Sequence, residues 1–248
     1  KSNVLPMLLL AVMVIPALVI VFVVQATQAD ELPLEYANYA VFLVAVLAIF
    51  VSAQAPQLVS KDLRFGVLPL YFARPITRAD YVRAKFVAMT TAIFVLLAAP
   101  LLVLYVGALL AKLDFTDETL GLLGGLLGAL LFATLLAGLG LAIASVTARR
   151  GLGVAAIIVV VMMSYGFAST LQGIAEGSGE SGGHTAAQWF GLLSPITLAD
   201  GVQSWLTGND VAGIAGPPGT TGGLVFTAVL IGSVALSYWF LMLRYRKV

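Results

Sequence analysis

The sequence consists of six long apolar segments separated by short polar gaps. Each segment holds about 20 mostly uncharged residues, the length that an α-helix needs to cross about 30 Å of hydrocarbon. The pattern therefore predicts an all-α polytopic membrane protein whose 248 residues form a single transmembrane domain. The predicted spans are residues 5–25, 39–59, 84–110, 120–146, 152–171 and 223–243.

The basic residues predict the orientation of these spans. If the six spans are correct, every one of the 13 Lys and Arg residues except Lys112 lies on the same side of the membrane. Because Lys and Arg concentrate in short cytoplasmic loops, this distribution places both termini in the cytoplasm. The acidic residues support the same orientation, since only Asp62 and Asp80 of the 12 fall on the basic side.

Composition narrows the class of protein further. The chain is 60% apolar and 10% charged, whereas soluble domains are roughly 25% charged, so we expect no separate soluble domain. The absence of cysteine excludes disulfides and cysteine-based sites. A net charge of +1 argues against a nucleic-acid partner. We interpret the first apolar segment as a spanning helix and not a cleaved signal peptide. Because the sequence begins with Lys1 and not Met, we expect residues to precede it.

No Asp, Glu, Lys, Arg or His lies near the middle of any predicted span. Ion-coupled carriers usually bury such groups along their pathway, so their absence argues against a secondary transporter. The single histidine, His184, follows a Gly- and Ser-rich stretch with no second metal ligand nearby. We therefore predict a solvated His184, no metal site and no catalytic residue.

Small residues recur at four-residue spacing in the fourth predicted span. This spacing lets a neighbouring helix approach closely in lipid. We predict a tightly packed helix, either within the subunit or at the seam of a dimer. The alternative is that glycine and alanine are simply frequent in membrane helices. The predicted packing residues are Gly121, Gly124, Gly125 and Gly128.

The longest predicted external segment, residues 173–221, contains an apolar stretch that is too broken to span. Trp189 and Trp205 bracket this stretch, and tryptophan is enriched at membrane interfaces. We expect short helices that lie at the outer leaflet or dip into it before the last span.

The largest predicted cytoplasmic feature is the segment 60–83 between the second and third spans. Its charged residues alternate with apolar ones, which favours a short amphipathic element lying under the membrane. Arg74 followed by Pro75 should end that element. Thr77 and Asp80 have the spacing of a capping box at the start of the next helix. The alternative is an ordinary basic loop with lipid-facing aromatic residues.

This segment resembles the loop after the second span in bacterial type-2 ABC exporter permeases. In that family an acidic and a basic residue precede an apolar run, an Arg-Pro-x-x-Arg turn, a Tyr and a Lys. The six spans, the cytoplasmic ends and the membrane-dipping segment extend the resemblance over the whole chain. One departure is that such permeases usually begin with an interfacial helix, and little precedes Leu5. The matching residues are Asp62, Arg64, Arg74, Pro75, Arg78, Tyr81 and Lys85.

The resemblance implies the permease subunit of an ATP-driven exporter in the bacterial plasma membrane. Residues 60–83 would form a coupling helix seated on a separate ABC ATP-binding subunit. ATP and Mg would bind that subunit, because this chain lacks a phosphate-binding Gly-x-x-x-x-Gly-Lys-Ser/Thr motif and would hold no cofactor itself. The implied coupling residues are Lys61, Asp62, Arg64, Arg74, Pro75, Arg78 and Asp80.

A second permease subunit, identical or related, would complete the pathway, and membrane lipid would surround both. An uncharged pathway suits an apolar or amphipathic cargo, although the sequence identifies no substrate residue. Two alternatives stay open. One is an ABC-like complex that serves signalling or protein maturation, and the other is a channel or secondary carrier that needs no ATPase.

Overall fold

The computed structural model of the protein describes residues 4–29, 31–59, 77–147, 149–178 and 182–246. Over these ranges the chain forms helices and their connections, with no β-strand. The predicted all-α class is therefore confirmed. Most of the predicted coupling segment, residues 60–76, lies outside the described residues, so the structure does not test the predicted coupling helix.

Nine α-helices and two short 3-10 helices make up the described part of the chain. The 3-10 helices are Tyr36–Asn38 and Gly191–Leu193. The α-helices are α1 (Val4–Thr27), α2 (Tyr39–Phe42), α3 (Val44–Leu58), α4 (Arg78–Leu110), α5 (Phe115–Val146), α6 (Arg150–Gly177), α7 (Gly183–Phe190), α8 (Pro195–Thr207) and α9 (Gly219–Arg246).

Five of these helices, α1, α4, α5, α6 and α9, are long and apolar enough to cross a membrane. The sixth candidate is bent, because the segment Tyr36–Phe42 meets Val44–Leu58 at 62°. Leu43, between them, has a non-helical backbone with φ −105° and ψ 24°. The predicted span 39–59 is thus divided into two helical segments that meet at a bend, and the chain is a multi-pass membrane protein.

Several helices are longer than the apolar segments that predicted them. Helix α4 begins at Arg78, before the predicted start of the third span at residue 84, and α6 continues to Gly177, beyond residue 171. The length of an apolar segment corresponds to the thickness of the hydrocarbon layer, whereas the helix itself can continue into the polar interface on either side.

Helix α5 lies at the centre of the bundle. It contacts α3, α4, α6, α8, α9 and the first 3-10 helix. Much of its buried surface is formed by glycine and alanine, including Gly125, Gly128, Ala133 and Ala137. By contrast, in α1, α6 and α9 only 22% of the residues in the most apolar 18-residue stretch are buried. Many large apolar side chains of these helices are exposed. We infer that α5 is the helix around which the others pack.

The segment before the last span is inserted among the long helices. In α8 every residue from Ile196 to Ser204 is buried, and the helix contacts α5, α6 and α9. Trp205 covers Gly223 of α9, where an added Cβ would overlap the indole ring. Trp189 is 37% exposed. The short helices predicted here are present, and α8 is enclosed by protein from Ile196 to Ser204, whereas Leu206 near its end is exposed.

Candidate functional site

The start of α4 carries the part of the predicted coupling segment that the structure describes. Thr77 Oγ1 accepts a hydrogen bond from the Asp80 backbone N–H at 3.2 Å, and Asp80 Oδ2 accepts one from the Thr77 N–H at 3.1 Å. This reciprocal pair is the predicted capping box, which is therefore confirmed. It fixes the point at which the chain enters α4.

An aromatic contact joins the start of α4 to the end of α9. The rings of Tyr81 and Tyr245 meet edge to face with centroids 5.1 Å apart, and both side chains are buried. Lys85 Nζ lies 5.2 Å from the centroid of the Tyr81 ring, within cation-π range. Tyr81 and Lys85 are both positions of the family resemblance, and the structure places them together.

The last turns of α5 and α9 are also connected. Arg244 Nε donates a hydrogen bond to the Ser145 carbonyl oxygen at 3.3 Å. That carbonyl belongs to the last turn of α5, where backbone acceptors lack partners in the helix and a cation is favourable. Deeper in the bundle, Phe86 and Tyr238 meet edge to face at 6.1 Å. The ends of α4, α5 and α9 thus form one connected unit, which we call the three-helix end.

Only two of the other predicted coupling residues lie in the part of the chain that the structure describes. Asp80 is exposed in the first turn of α4, and Arg78 is the first residue of that helix. Outside the described residues lie Lys61, Asp62, Arg64, Arg74 and Pro75.

The four predicted packing glycines of α5 lie where three other segments approach. A Cβ added at Gly121 would meet the Tyr36 ring at 2.9 Å, and one added at Gly124 would meet Thr207 at 3.0 Å. Gly125 faces the Tyr36 backbone and Leu101, and a Cβ at Gly128 would overlap the Gln203 side chain. The neighbours are therefore α4, α8 and the first 3-10 helix of the same subunit. We call this surface of α5 the glycine face.

Hydrogen bonds secure two of the three segments at the glycine face, the first 3-10 helix and α8. The Tyr36 hydroxyl donates to Glu118 Oε2 at 2.5 Å, and Gln203 Nε2 donates to the Gly124 carbonyl oxygen at 3.3 Å. Sequence analysis missed both pairs, because the partners are 82 and 79 residues apart. The only local signal was a polar side chain within an apolar stretch.

Two further buried polar side chains hold the segment between α6 and α9 in place. Gln172 Nε2 donates to the carbonyl oxygens of Ala187 at 3.2 Å and Ala215 at 3.0 Å. Asp200 of α8 accepts from the N–H groups of Ala212 at 3.3 Å and Gly213 at 3.0 Å. Burial raises the pKa of Asp200 from 3.8 to about 6, and the two N–H groups partly oppose that rise.

His184 is exposed, as predicted, but it lies on α7 and not in a loop. Its Nδ1 is 2.7 Å from Glu176 Oε1. Within the described ranges, no group of three or more His, Cys, Asp or Glu side chains is arranged to hold a metal ion.

The architecture defines a multi-pass helical membrane protein with a central helix connected at both ends. The sequence matches the family described as ABC-2 family transporter protein over residues 9–247, nearly the whole chain. The chain therefore belongs to the ABC-2 transporter family, and the predicted resemblance is confirmed. It is a membrane subunit of an ABC transport system and not the ATPase, and such permeases normally work with an ABC ATP-binding subunit. No curated protein matches the chain.

The glycine face yields a first prediction. Gly125→Ala should lower the unfolding temperature in detergent, because its Cβ would lie 2.8 Å from Tyr36 Cβ and 3.2 Å from the Tyr36 carbonyl oxygen. The first 3-10 helix would have to shift, and such overpacking costs about 1–3 kcal/mol.

The matched control is Gly166→Ala on α6, where an added Cβ meets nothing within 4 Å. We expect that variant to be unchanged or more stable by about 0.5–1 kcal/mol from helix propensity. Equal unfolding temperatures for the two variants would contradict the close packing at Gly125.

The second prediction concerns pH. Because the pKa of Asp200 is about 6 in the folded protein and 3.8 ordinarily, the folded state binds this proton more tightly. The contribution of Asp200 to stability therefore falls as pH rises from about 4 to 6 and is constant above that range. Each pH unit in this window changes the free energy of unfolding by about 1.4 kcal/mol.

Asp200→Asn should remove this dependence. The unfolding temperature of the wild type relative to Asp200→Asn should accordingly be higher at pH 5 than at pH 7.5. Asp210→Asn is the control, because Asp210 is exposed in the following loop. A difference between wild type and Asp200→Asn that does not change with pH would show that the carboxyl group titrates as it does in water.

Proposed function

We propose that the chain is the permease subunit of an ATP-driven exporter, in which residues 60–83 bind a separate ABC ATP-binding subunit. Closure of that subunit would push on the segment and change the access of a pathway between two permease subunits. Two observations support the proposal. The chain belongs to the ABC-2 transporter family, and the three-helix end follows directly after residues 60–76 in the sequence.

The contacts of the three-helix end support a role in transmission. A capped helix start resists fraying, so a displacement of residues 60–76 would pass into α4 at Thr77. From there the Tyr81 and Tyr245 rings connect α4 to α9, and Arg244 connects α9 to α5. Three spanning helices would therefore move together and not independently.

Helix α5 would carry the movement to the opposite end of the bundle. Its glycine face bears α8 and the first 3-10 helix at that end, through the contacts of Gly121, Gly124, Gly125 and Gly128. We propose that these glycines are packing residues whose lack of side chains keeps the two ends of the bundle in register. The segment before the last span would then respond to events at the ATPase.

The remaining parts of the proposal rest on chemistry and on the family. ATP and Mg would bind the partner ATPase, and this chain would supply no catalytic group. The exposed apolar surfaces of α1 and α6 suit membrane lipid or a second permease subunit. A pathway bounded by such surfaces favours an apolar or amphipathic cargo. The family resemblance favours the bacterial plasma membrane, and the distribution of basic residues favours both termini in the cytoplasm.

Purification in mild detergent from the native membrane tests this proposal. We expect an ABC ATP-binding subunit to co-purify with the wild-type chain in fixed stoichiometry, with ATPase activity in the eluate. Arg74→Glu and Arg78→Glu should each lower that co-purification and uncouple transport at least tenfold, since a charge reversal at a contact costs more than about 1.4 kcal/mol. Expression and membrane insertion should not change.

Lys112→Glu is the matched control, because Lys112 is the one basic residue predicted on the opposite side. It should retain the ATPase at the wild-type level. Should Arg74→Glu and Arg78→Glu also retain it, the coupling assignment would be wrong. A wild-type chain that purifies without any ATPase, under conditions that preserve other membrane complexes, would favour an ATP-independent channel or carrier.

A further inference from the structure

A groove of about 650 Å³ lies on the surface of the bundle between α4, α5 and α9. Phe86 and Tyr238, in edge-to-face contact, line its end near the start of α4, and Leu230 and Val234 line its deeper part. Arg83 stands at the mouth near the start of α4. The groove is thus apolar along its length and carries one cation at one end.

The threonine of the lining, Thr134, leaves the groove apolar. Its hydroxyl donates to the carbonyl oxygens of Leu130 at 2.9 Å and Leu131 at 3.0 Å, both in its own helix. The hydroxyl is therefore satisfied without a ligand, as is common for threonine in membrane helices. Nothing in the deep part of the groove calls for a polar occupant.

The guanidinium of Arg83 is available to a ligand. Arg83 is exposed, and its charge interacts with that of Asp80, three residues earlier on the same helix. The carboxylate one turn earlier, Asp80, is engaged by Thr77 in the capping box. Arg83 lies in the second turn of α4, where a side chain from a spanning helix reaches the headgroup level.

The dimensions of the groove match a lipid chain. Tyr238 and Leu230 are eight residues apart on α9, which corresponds to roughly 12 Å along the helix axis. The groove therefore runs from the level of Arg83 into the hydrocarbon region, parallel to an acyl chain in one leaflet.

We infer that this groove is a binding site for one anionic phospholipid of the leaflet in which α4 begins. The phosphate accepts hydrogen bonds from the planar guanidinium of Arg83, and an acyl chain packs along Leu230, Ile231 and Val234. The net negative charge of the headgroup provides the preference over zwitterionic lipids, since the groove lining contains one cation and no carboxylate.

This inference is independent of the proposed coupling to an ATPase. Arg83 ends the segment 60–83, so its substitution could also alter transport, and transport is therefore not the measurement. Lipid binding to the purified chain separates the two proposals, because it needs no ATPase, nucleotide or cargo.

Native mass spectrometry of the full chain, titrated with phosphatidylglycerol or phosphatidylcholine, tests the site. We expect the wild type to bind one phosphatidylglycerol more tightly than phosphatidylcholine. Arg83→Gln should weaken phosphatidylglycerol binding about tenfold, the effect of losing roughly 1.4 kcal/mol from a charge-assisted contact, and should leave phosphatidylcholine binding unchanged. Arg150→Gln, which removes an exposed cation at the start of α6, should change neither.

A second pair of variants tests the apolar part without touching the cation. Ala235→Phe should fill the groove and lower the binding of both lipids, because Ala235 lines it and is exposed. Val229→Phe places the same ring on the opposite side of α9 and should leave binding unchanged. This pair keeps the inference testable if Arg83→Gln does not fold.

Three results would overturn the inference. The first is equal wild-type affinity for the two lipids. The second is displacement of phosphatidylglycerol by inorganic phosphate alone, which would indicate a free-anion site. The third is a cross-link between two copies of this chain through a cysteine at Ala235, with lipid binding unaffected by Ala235→Phe, which would indicate a subunit interface.

Discussion

The structure depends on the absence of side chains along the glycine face of α5. Gly121, Gly125 and Gly128 allow Tyr36 and Gln203 to lie directly against the central helix. A bent helix pair and an inserted short helix both carry backbone groups and polar side chains that must be satisfied away from water. Close approach to α5 provides those partners, including Glu118 for Tyr36 and the Gly124 carbonyl for Gln203.

The same helix connects the two ends of the molecule. At one end α5 carries the first 3-10 helix and α8, and at the other its Ser145 carbonyl is bound by Arg244 of α9. A helix of 32 residues is a stiff element, and each of its ends is joined to segments distant in sequence. A membrane subunit that converts a movement on one side into a change of access on the other requires such a connection. The architecture supports this kind of work with no Asp, Glu, Lys, Arg or His at the centre of any spanning helix that the structure describes.

Much of the fold could be predicted from sequence because it follows from local chemistry. Apolar length predicts each spanning helix, and the capping box of Thr77 and Asp80 needs only a three-residue spacing. The break at Leu43 could not be predicted, since Leu43 is apolar like its neighbours and its non-helical backbone depends on packing. The enclosure of α8 was equally hidden, because its buried Asp200 and Gln203 resemble surface residues until their partners are known.

The candidate site also combines features that the sequence predicts with features that only the structure shows. Sequence similarity identified Tyr81 and Lys85 as a pair of motif positions, but only the structure shows that Tyr81 contacts Tyr245 of the last helix. Such a contact depends on how α4 and α9 align with each other, and the two tyrosines are more than 150 residues apart in the sequence. Hydropathy reports which residues face away from water and contains no information about that register.

A site-specific cross-link tests the central claim most directly, because the chain has no cysteine of its own. A single cysteine at Leu68, labelled with a photoactivatable reagent in native membranes, should attach to an ABC ATP-binding subunit, with a yield that changes when ATP is added. The same reagent at Lys112→Cys should give no such product. Attachment of the Leu68 cysteine only to lipid, at every nucleotide concentration, would contradict the account and leave the segment as a membrane anchor.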